Sequence, residues 1–232
     1  MTTSTMYEDG TYLEHSHTWH QEDSPWKAKH IAELLRRNNV MAESICEIGC
    51  GGGEILNCLA GEFGKRLKCY GYEISPQAFG ICSQKESENL HFFLKDALSE
   101  EESFDVAMAI DVFEHVEDYL GFLRKMKTKA TFKVFHIPLD LSVQTVLRMS
   151  PILGQRAAWG HLHYFTKETA LASLRDTGYE IVDCVFTKSA IELPNRNWKE
   201  TLLKWPRRLL YFVHKDIAAR VLGGFSLLVL TR

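Results

Sequence analysis

Short, almost wholly apolar runs alternate with amphipathic segments along most of this chain. Continuous hydrophobicity is typical of parallel strands that are covered on both faces of a sheet. Five runs predict such strands: 44–49, 67–73, 90–94, 104–110 and 131–137. Between them, 53–63, 76–87 and 116–128 have the spacing of amphipathic helices. This alternation predicts a doubly wound, mainly parallel α/β sheet with right-handed crossovers.

The flanking segments extend the same pattern. Ser24 followed by Pro25 predicts the start of a helix that continues to Arg37. After residue 137 comes a stretch rich in loop signals, with Pro138, Pro151, Gly154 and Gly160. Three elements are predicted beyond it: a helix at 165–178 and strands at 179–186 and 224–232. Pro206 is predicted to break the segment between these strands into two helices.

Composition restricts the class of protein. The chain has 232 residues, 45% of them hydrophobic and 25% charged, as in an ordinary globular domain. A net charge of −3 argues against a dedicated nucleic-acid binder. No apolar run approaches the roughly 18–20 residues that span a bilayer, and the polar, acidic start does not resemble a signal peptide. These features predict a soluble protein of the cytoplasm.

The six cysteines are spaced without a C-x-x-C pair. Several lie inside apolar runs, where a free thiol behaves as a small hydrophobe. Neither a disulfide framework nor a structural metal is therefore expected.

The segment ICEIGCGGGEIL, at 45–56, carries the most informative pattern. A strand turns through glycines into a helix, which lets a ligand approach the backbone closely. A dinucleotide-binding fingerprint would require glycine or alanine where Glu54 stands, and the Gly-Lys-Ser/Thr of a P-loop is missing. The spacing is instead E-x-G-x-G-x-G, formed by Glu47, Gly49, Gly51 and Gly53.

This motif resembles that of the class I S-adenosylmethionine-dependent methyltransferases. Glu73-Ile74 and Asp96-Ala97 follow the second and third strands, and AIDVFEHVED (109–118) matches the family's segment after strand four. The resemblance covers about 40–187 and the last strand, and it is to the small-molecule branch, which includes ubiquinone- and sugar-modifying enzymes. It implies a seven-stranded Rossmann-like sheet with an antiparallel last strand.

The resemblance also implies a cofactor, S-adenosylmethionine, with S-adenosylhomocysteine as product. Glu47 would act on its ammonium group, Glu73 would accept both ribose hydroxyls, and Asp96 would accept the adenine amine. The implied cofactor-binding residues are Glu47, Gly49, Cys50, Gly51, Gly53, Glu73, Ile74, Asp96, Ala97, Asp111, Val112 and His115. Residues 1–232 are then a single domain, with an N-terminal lid and helix (1–38), a cofactor-binding half (40–137) and a substrate-side half (138–232) that contains a helical insertion at about 188–222.

A hydroxyl acceptor must lose its proton, and histidine is the side chain best suited to remove it near neutral pH. His163 or His115 is predicted as this base, although each has a packing role as the alternative. The predicted substrate and lid residues are Trp19, His20, Trp26, Glu114, His161 and Tyr164. His15, His17 and His20 have ligand-like spacing, but without a rigid scaffold a lid is favoured over a metal site.

The late basic segment changes the meaning of the net charge. Residues 187–222 carry +5, which leaves −8 on the rest of the chain. A basic amphipathic stretch at 198–222 can contact an anionic membrane or receive an anionic acceptor. The alternative is an insertion that packs its apolar face on the sheet.

The predicted function is methyl transfer to a small molecule, at a hydroxyl of a sugar, a nucleotide-sugar or a lipid-like intermediate, with no nucleic acid as partner. Two alternatives remain: a non-catalytic, S-adenosylmethionine-binding regulatory or partner protein, and a nicotinamide-dependent oxidoreductase, against which Glu54 argues. The oligomeric state is not indicated.

Overall fold

A computed structural model describes residues 21–194 and 198–232. Its strands form one seven-stranded sheet in the order β3-β2-β1-β4-β5-β7-β6. They are β1 (Ser44–Ile48), β2 (Lys68–Glu73), β3 (Leu90–Leu94), β4 (Phe104–Ile110), β5 (Ala130–Pro138), β6 (Ile181–Thr187) and β7 (Ser226–Thr231). The first five are parallel, and β7 lies antiparallel between β5 and β6. The predicted fold class is confirmed.

Helices cover both faces of the sheet. They are α1 (Ser24–Arg37), α2 (Glu54–Phe63), α3 (Pro76–Cys82), α4 (Tyr119–Met126), α5 (Val143–Arg148), α6 (Ser150–Trp159), α7 (Lys167–Asp176), α8 (Ser189–Glu192), α9 (Trp198–Val213) and α10 (Lys215–Leu222). Helices α1 and α2 pack on one face with Ile45, and α4 and α7 pack on the other with its neighbour Cys46. Neighbouring strand residues thus point to opposite, equally apolar layers, which explains the continuous hydrophobic runs.

Several predicted boundaries were wrong. The helix predicted at 76–87 ends at Cys82 and continues as a 3-10 turn at Ser83–Lys85. The helix predicted at 116–128 begins at Tyr119, because the Asp118 carboxylate accepts the backbone N–H of Gly121 and caps it. Residues Phe113–His115 before it form a separate 3-10 turn.

The stretch after residue 137 is not a long loop. It folds into α5 and α6. Ser142 and Thr145 form a reciprocal capping box at the start of α5, and Pro151 lies in the first turn of α6, where its missing N–H costs nothing.

Pro206 does not break the insertion, because α9 is continuous from Trp198 to Val213. Pro206 and Leu202, whose carbonyl loses its helical donor, are both exposed, so water can replace the missing bond. The chain turns instead at His214, whose ring nitrogen accepts the N–H of Ile217 and caps α10. No helix within 21–194 and 198–232 is long and apolar enough to cross a membrane.

Candidate active site

A cavity of about 570 Å³ lies at the carboxyl ends of β1, β2, β4 and β5. β1 and β4 are neighbours, and the chain leaves β1 toward β2 on one side and β4 toward β5 on the other. Such a switch in strand order opens a crevice where α/β sheets bind ligands. Helices α1, α6 and α8 contribute the remaining walls.

The glycine loop forms one side of this cavity. Gly49, Gly51 and Gly53 have backbone φ angles of +71°, +52° and +74°, which residues other than glycine rarely adopt. A Cβ on Gly53 would lie 2.6 Å from the Phe92 ring. The loop therefore lies directly on the underlying core, and its backbone faces the cavity.

Glu73, at the end of β2, holds this loop in place. One carboxylate oxygen accepts the backbone N–H of Gly51 at 2.8 Å, and the other accepts those of Ile74 and Ser75 at 2.8 Å each. Burial raises the pKa of Glu73 despite these three donors. Ile74 also lines the cavity and is 54% exposed.

Glu47 is a buried acid with spare hydrogen-bonding capacity. Its side chain is 2% exposed and lines the cavity, and its Oε2 atom has no hydrogen-bond partner among the described residues. The pKa of Glu47 is raised to about 8: burial is the main cause, Lys27 opposes it, and Glu73 and Asp111 add to it. A ligand that brings a cationic amine would satisfy this carboxylate.

Asp111 lies at the centre of a series of hydrogen-bonded polar side chains, and its partners in this series were not predicted from the sequence. Lys27 Nζ lies 2.7 Å from one Asp111 oxygen, and His136 Nδ1 lies 2.6 Å from the other. The second ring nitrogen of His136 bonds Thr187 at 2.8 Å. Burial disfavours the Asp111 carboxylate, but His136 and Lys27 outweigh it and hold its pKa well below the usual value. Asp111 has a φ of +55°, which aims its side chain at partners from distant parts of the chain.

Glu114, His115 and His161 form a second polar cluster on the cavity wall. Glu114 is fully buried, and neither of its carboxylate oxygens has a hydrogen-bond partner among the described residues. Burial, with a contribution from Asp111, raises its pKa well above the usual value.

The two histidines of this cluster are held differently. Their rings meet edge to face, with centroids 4.8 Å apart. His161 Nδ1 donates to Asp140 at 2.7 Å, and Gln155 donates to the other Asp140 oxygen at 2.9 Å. A carboxylate can only accept, so Nδ1 carries a proton, and in the neutral ring the lone pair is on Nε2.

Six further residues that were predicted for the site lie on the cavity wall. Gly49, Cys50, Gly51, Gly53, Val112 and Trp26 line the cavity. The Trp26 indole N–H donates to Glu192 at 2.8 Å, which ties α1 to α8. Trp19 and His20, with His15 and His17, lie outside the described residues.

Four predicted site residues do not line the cavity: Asp96, Ala97, His163 and Tyr164. Asp96 accepts the N–H of Leu98 at 2.9 Å and caps a short turn. His163 Nε2 donates to the carbonyl of Val116 at 2.9 Å, so this nitrogen is occupied as a donor. The geometry does not support His163 as a base facing the acceptor.

Five residues of the cavity wall were not predicted from the sequence: Lys27, His136, Gln155, Trp159 and Leu193. No motif marks them, because they come from α1, β5, α6 and the segment after α8. His136 stands among the apolar residues Val134, Phe135 and Ile137 near the end of β5, and this polarity was the one signal that could have indicated a role.

The known proteins that this chain resembles in sequence are methyltransferases. The sequence model of a family described as a methyltransferase domain matches residues 18–183. Norajmaline N-methyltransferase of Rauvolfia serpentina is 32% identical over 113 residues, which is 43% of this chain and 38% of that protein. Ubiquinone biosynthesis O-methyltransferase of Pseudomonas fluorescens is 29% identical over 120 residues, which is 47% of this chain and 51% of that protein. The alignments thus cover about half, or less, of these relatives' length.

Solved structures share the fold. The N-methyltransferase NodS of Bradyrhizobium japonicum, in complex with S-adenosyl-L-homocysteine, has a TM-score of 0.62 at 19% identity, covering 100% of this chain and 98% of that one. Magnesium protoporphyrin IX methyltransferase of Synechocystis, with the same compound bound, has a TM-score of 0.58 at 17% identity, covering 91% and 82%. At these identities the likeness shows the fold alone.

Proposed function

The chain belongs to the methyltransferase domain family, and from this premise we propose that it methylates a hydroxyl of a small-molecule acceptor with S-adenosylmethionine. The acceptor class is a sugar, a nucleotide-linked sugar or a lipid-like intermediate. The observation that carries the proposal is one cavity lined both by the glycine loop with its buried acids and by a histidine cluster.

The donor set of the cavity suits this cofactor. S-adenosylmethionine carries an ammonium and a sulfonium but no phosphate, so a loop between Glu47 and Glu73 favours it over a nucleotide diphosphate. When bound, it supplies a methyl group activated by its sulfonium. Glu47 would accept from the ammonium, the backbone of Gly49–Gly51 would contact the methionyl part, and Glu73 would receive the ribose.

The opposite wall is suited to the acceptor. Asp140 holds His161 in the tautomer whose Nε2 can take the proton of a hydroxyl. His115 lies beside it at ring-contact distance. We propose these two histidines as the groups that receive or orient the acceptor, and we assign His163 only a packing role.

The insertion supports a membrane-associated or lipid-like acceptor. In α9 an apolar stripe faces outward, where Leu202, Trp205, Leu209 and Phe212 are 67–89% exposed. Arg207, in contrast, is buried, and its guanidinium donates to the carbonyl of Gly223 at 3.1 Å. The predicted alternative, an apolar face packed on the sheet, therefore does not describe this stripe.

Helix α10 packs against both α9 and α5, and each adds exposed apolar side chains. These are Ile217 and Val221 on α10 and Val143, Val146 and Leu147 on α5. Exposed cations accompany them, including Arg148, Arg208 and Lys215. An apolar, positively charged surface complements anionic lipid headgroups. We infer that it docks there.

The docking surface adjoins the cavity. Lys204 of α9 donates to the carbonyl of Leu193 at 2.7 Å, and Leu193 lines the cavity. Helix α6 likewise carries Trp159 on the cavity wall and an exposed Leu153. A lipid-like acceptor could reach the histidines from a membrane without crossing water.

The test is turnover. Purified protein is incubated with labelled S-adenosylmethionine and fractionated lipid or sugar-phosphate extracts, and S-adenosylhomocysteine is measured. We expect acceptor-dependent product that His161→Ala reduces at least tenfold while cofactor affinity is unchanged. Cofactor binding without product from any fraction would favour the non-catalytic role.

Vesicle sedimentation tests the docking surface. We expect binding to vesicles that contain phosphatidylglycerol and not to those of phosphatidylcholine alone. Trp205→Ser with Phe212→Ser should abolish it, and Leu94→Ser, an exposed apolar residue on β3, should not. Equal binding of all variants would refute this surface.

A further inference from the structure

Glu114 has an unusual environment for a carboxylate. It is 0% exposed, and no described residue hydrogen-bonds either of its oxygens. A buried carboxylate without a partner is costly unless it is neutralised. The nearby acids Asp111 and Asp140 add negative potential, and Lys27 opposes it only at a distance. The position is suited to a cation.

Two nitrogen ligands lie next to this carboxylate. One ligand atom each from Glu114, His115 and His161 lies within 4.8 Å of the other two, and His115 Nε2 is 3.9 Å from a Glu114 oxygen. A cation with bonds of about 2.0–2.2 Å holds neighbouring ligands about 3 Å apart. Side-chain rotations that move the three ligand atoms by about 1 Å would therefore bring them to the separations that a bound cation requires.

The cluster is also preorganised by its backbone and by a supporting carboxylate. The carbonyl of Glu114 accepts the N–H groups of Leu162 at 2.9 Å and His163 at 3.1 Å, which brings His161 beside it. The Asp140 bond directs Nε2 of His161 away from Asp140. A carboxylate behind a histidine is the usual second contact of metal-binding histidines.

We propose that Glu114, His115 and His161 bind a divalent first-row transition cation, such as Mn²⁺ or Zn²⁺, on the acceptor side of the cavity. One carboxylate and two imidazoles leave coordination positions open, and the cavity is where an acceptor oxygen could fill one. The cation would fix the position of a bound hydroxyl and lower its pKa, so that its proton would be lost to solvent water before the oxygen receives the methyl group. A histidine that ligates the cation has no lone pair for a proton, so the cation would replace His161 as the activating group.

Cation binding itself is independent of the proposed function; only its role in activating an acceptor rests on it. The first measurement is therefore binding without cofactor or acceptor. Chelator-treated protein is titrated with Mn²⁺, the free ion is followed by electron paramagnetic resonance, and Co²⁺ is followed by its visible absorption. We expect one cation per chain.

The variants locate the site. Glu114→Gln and His161→Ala should each weaken Mn²⁺ binding at least tenfold, and Asp140→Asn should weaken it by about 10–100-fold. His163→Ala removes a neighbouring histidine outside the cavity and should leave binding unchanged. In the absence of metal, Glu114→Gln should melt no lower than the original protein, because the amide has the same shape and no charge to bury. Mn²⁺ should raise the melting temperatures of the original protein and of His163→Ala, and leave that of Glu114→Gln unchanged.

Three results would overturn the site: no binding of either cation at millimolar concentration, undiminished binding by Glu114→Gln and His161→Ala, or loss of binding only when His15, His17 and His20 are all replaced by alanine. S-adenosylmethionine affinity is measured on the same samples. Cofactor binding without cation binding refutes the metal site alone, and cation binding without cofactor binding refutes the proposed function alone.

Discussion

At the scale of single residues, Glu73 joins the shape of the glycine loop to ligand binding. Its two oxygens accept three backbone N–H groups, from Gly51, Ile74 and Ser75. Without this carboxylate the buried N–H of Ser75 is unsatisfied, which costs about 1–3 kcal/mol, whereas the half-buried N–H groups of Gly51 and Ile74 can turn to water and cost less. The same carboxylate faces the cavity where the ribose would lie.

We therefore expect Glu73→Ala to lower the free energy of unfolding by about 2–4 kcal/mol and to weaken S-adenosylmethionine binding at least tenfold. Glu73→Gln keeps one acceptor oxygen and should be intermediate. Urea unfolding and calorimetry measure the two effects. Glu88→Ala, an exposed glutamate paired with Lys65, is the control and should change neither. Normal affinity in Glu73→Ala would contradict the assignment.

Glu47 predicts a specific dependence of stability on pH. Its pKa is about 8 in the folded protein against 4.5 ordinarily, with burial as the main cause. Between these values the folded state binds a proton that the unfolded state has lost, so stability falls as pH rises through this range. The titratable groups that act on it are Lys27, Glu73, Asp111 and the Cys82 thiol.

We expect Glu47→Gln to remove this loss. The difference in unfolding free energy between Glu47→Gln and the original protein should grow by about 1 kcal/mol per pH unit from pH 5 to 8, then level off. Urea unfolding at pH 5, 6.5, 8 and 9 measures it. A constant difference over the whole range would show that Glu47 is ionised throughout.

At the scale of elements, α9 is attached to the body by a buried arginine and by two partly buried apolar side chains, Leu210 and Tyr211, which pack against the cluster around Phe225. Arg207 is 8% exposed and donates to the carbonyls of Leu222, the last residue of α10, and of Gly223, which follows it. Its neighbour Arg208 is exposed. Arg207, Leu210 and Tyr211 thus face the body, and the apolar stripe on the other side of the helix is turned outward.

The buried Arg207 and the exposed Arg208 allow a matched test of how α9 is anchored. Arg207→Ala leaves two carbonyls without this donor and should cost about 1–3 kcal/mol of unfolding free energy. Arg208→Ala should stay within about 0.5 kcal/mol of the original. Urea unfolding compares them, and equal losses would mean that Arg207 does not anchor α9.

At the scale of the whole molecule, the net charge of −3 separates into two regions. A basic segment at 187–222 carries +5, and the remaining chain carries −8. In the fold the acids Glu47, Glu73, Asp111 and Glu114 line one cavity, and two residues of the basic segment, Ser189 and Leu193, line it as well. A cationic cofactor and an anionic acceptor surface could therefore be bound side by side.

Ligand specificity should appear in global stability. A ligand at 100 times its Kd stabilises the folded state by about 2.7 kcal/mol, which raises the melting temperature of a domain of this size by about 5–10 °C. We expect this shift from S-adenosylmethionine and S-adenosylhomocysteine and none from NAD. A shift by NAD alone would favour the oxidoreductase alternative.

The sequence by itself was sufficient for the sheet and for the glycine loop, because both are local. Buried parallel strands appear as apolar runs, and a turn that needs positive φ at 49, 51 and 53 requires glycine there. It also located Glu47, Glu73 and Asp111 at strand ends, where parallel sheets bind ligands. Boundaries such as Tyr119 depended on single capping bonds, which a hydrophobic pattern does not resolve.

Only the tertiary structure decided which histidine faces the cavity and which way α9 is turned. His161 and His163 are two residues apart, yet a bond to Asp140 holds one in the cavity wall, and a bond to a backbone carbonyl holds the other outside it. The orientation of α9 similarly follows from the bond of Arg207 to the carbonyl of Gly223 and from the packing of Tyr211 on Phe225. Contacts between residues far apart along the chain form only when packing brings them together, so no periodicity along the chain could reveal them.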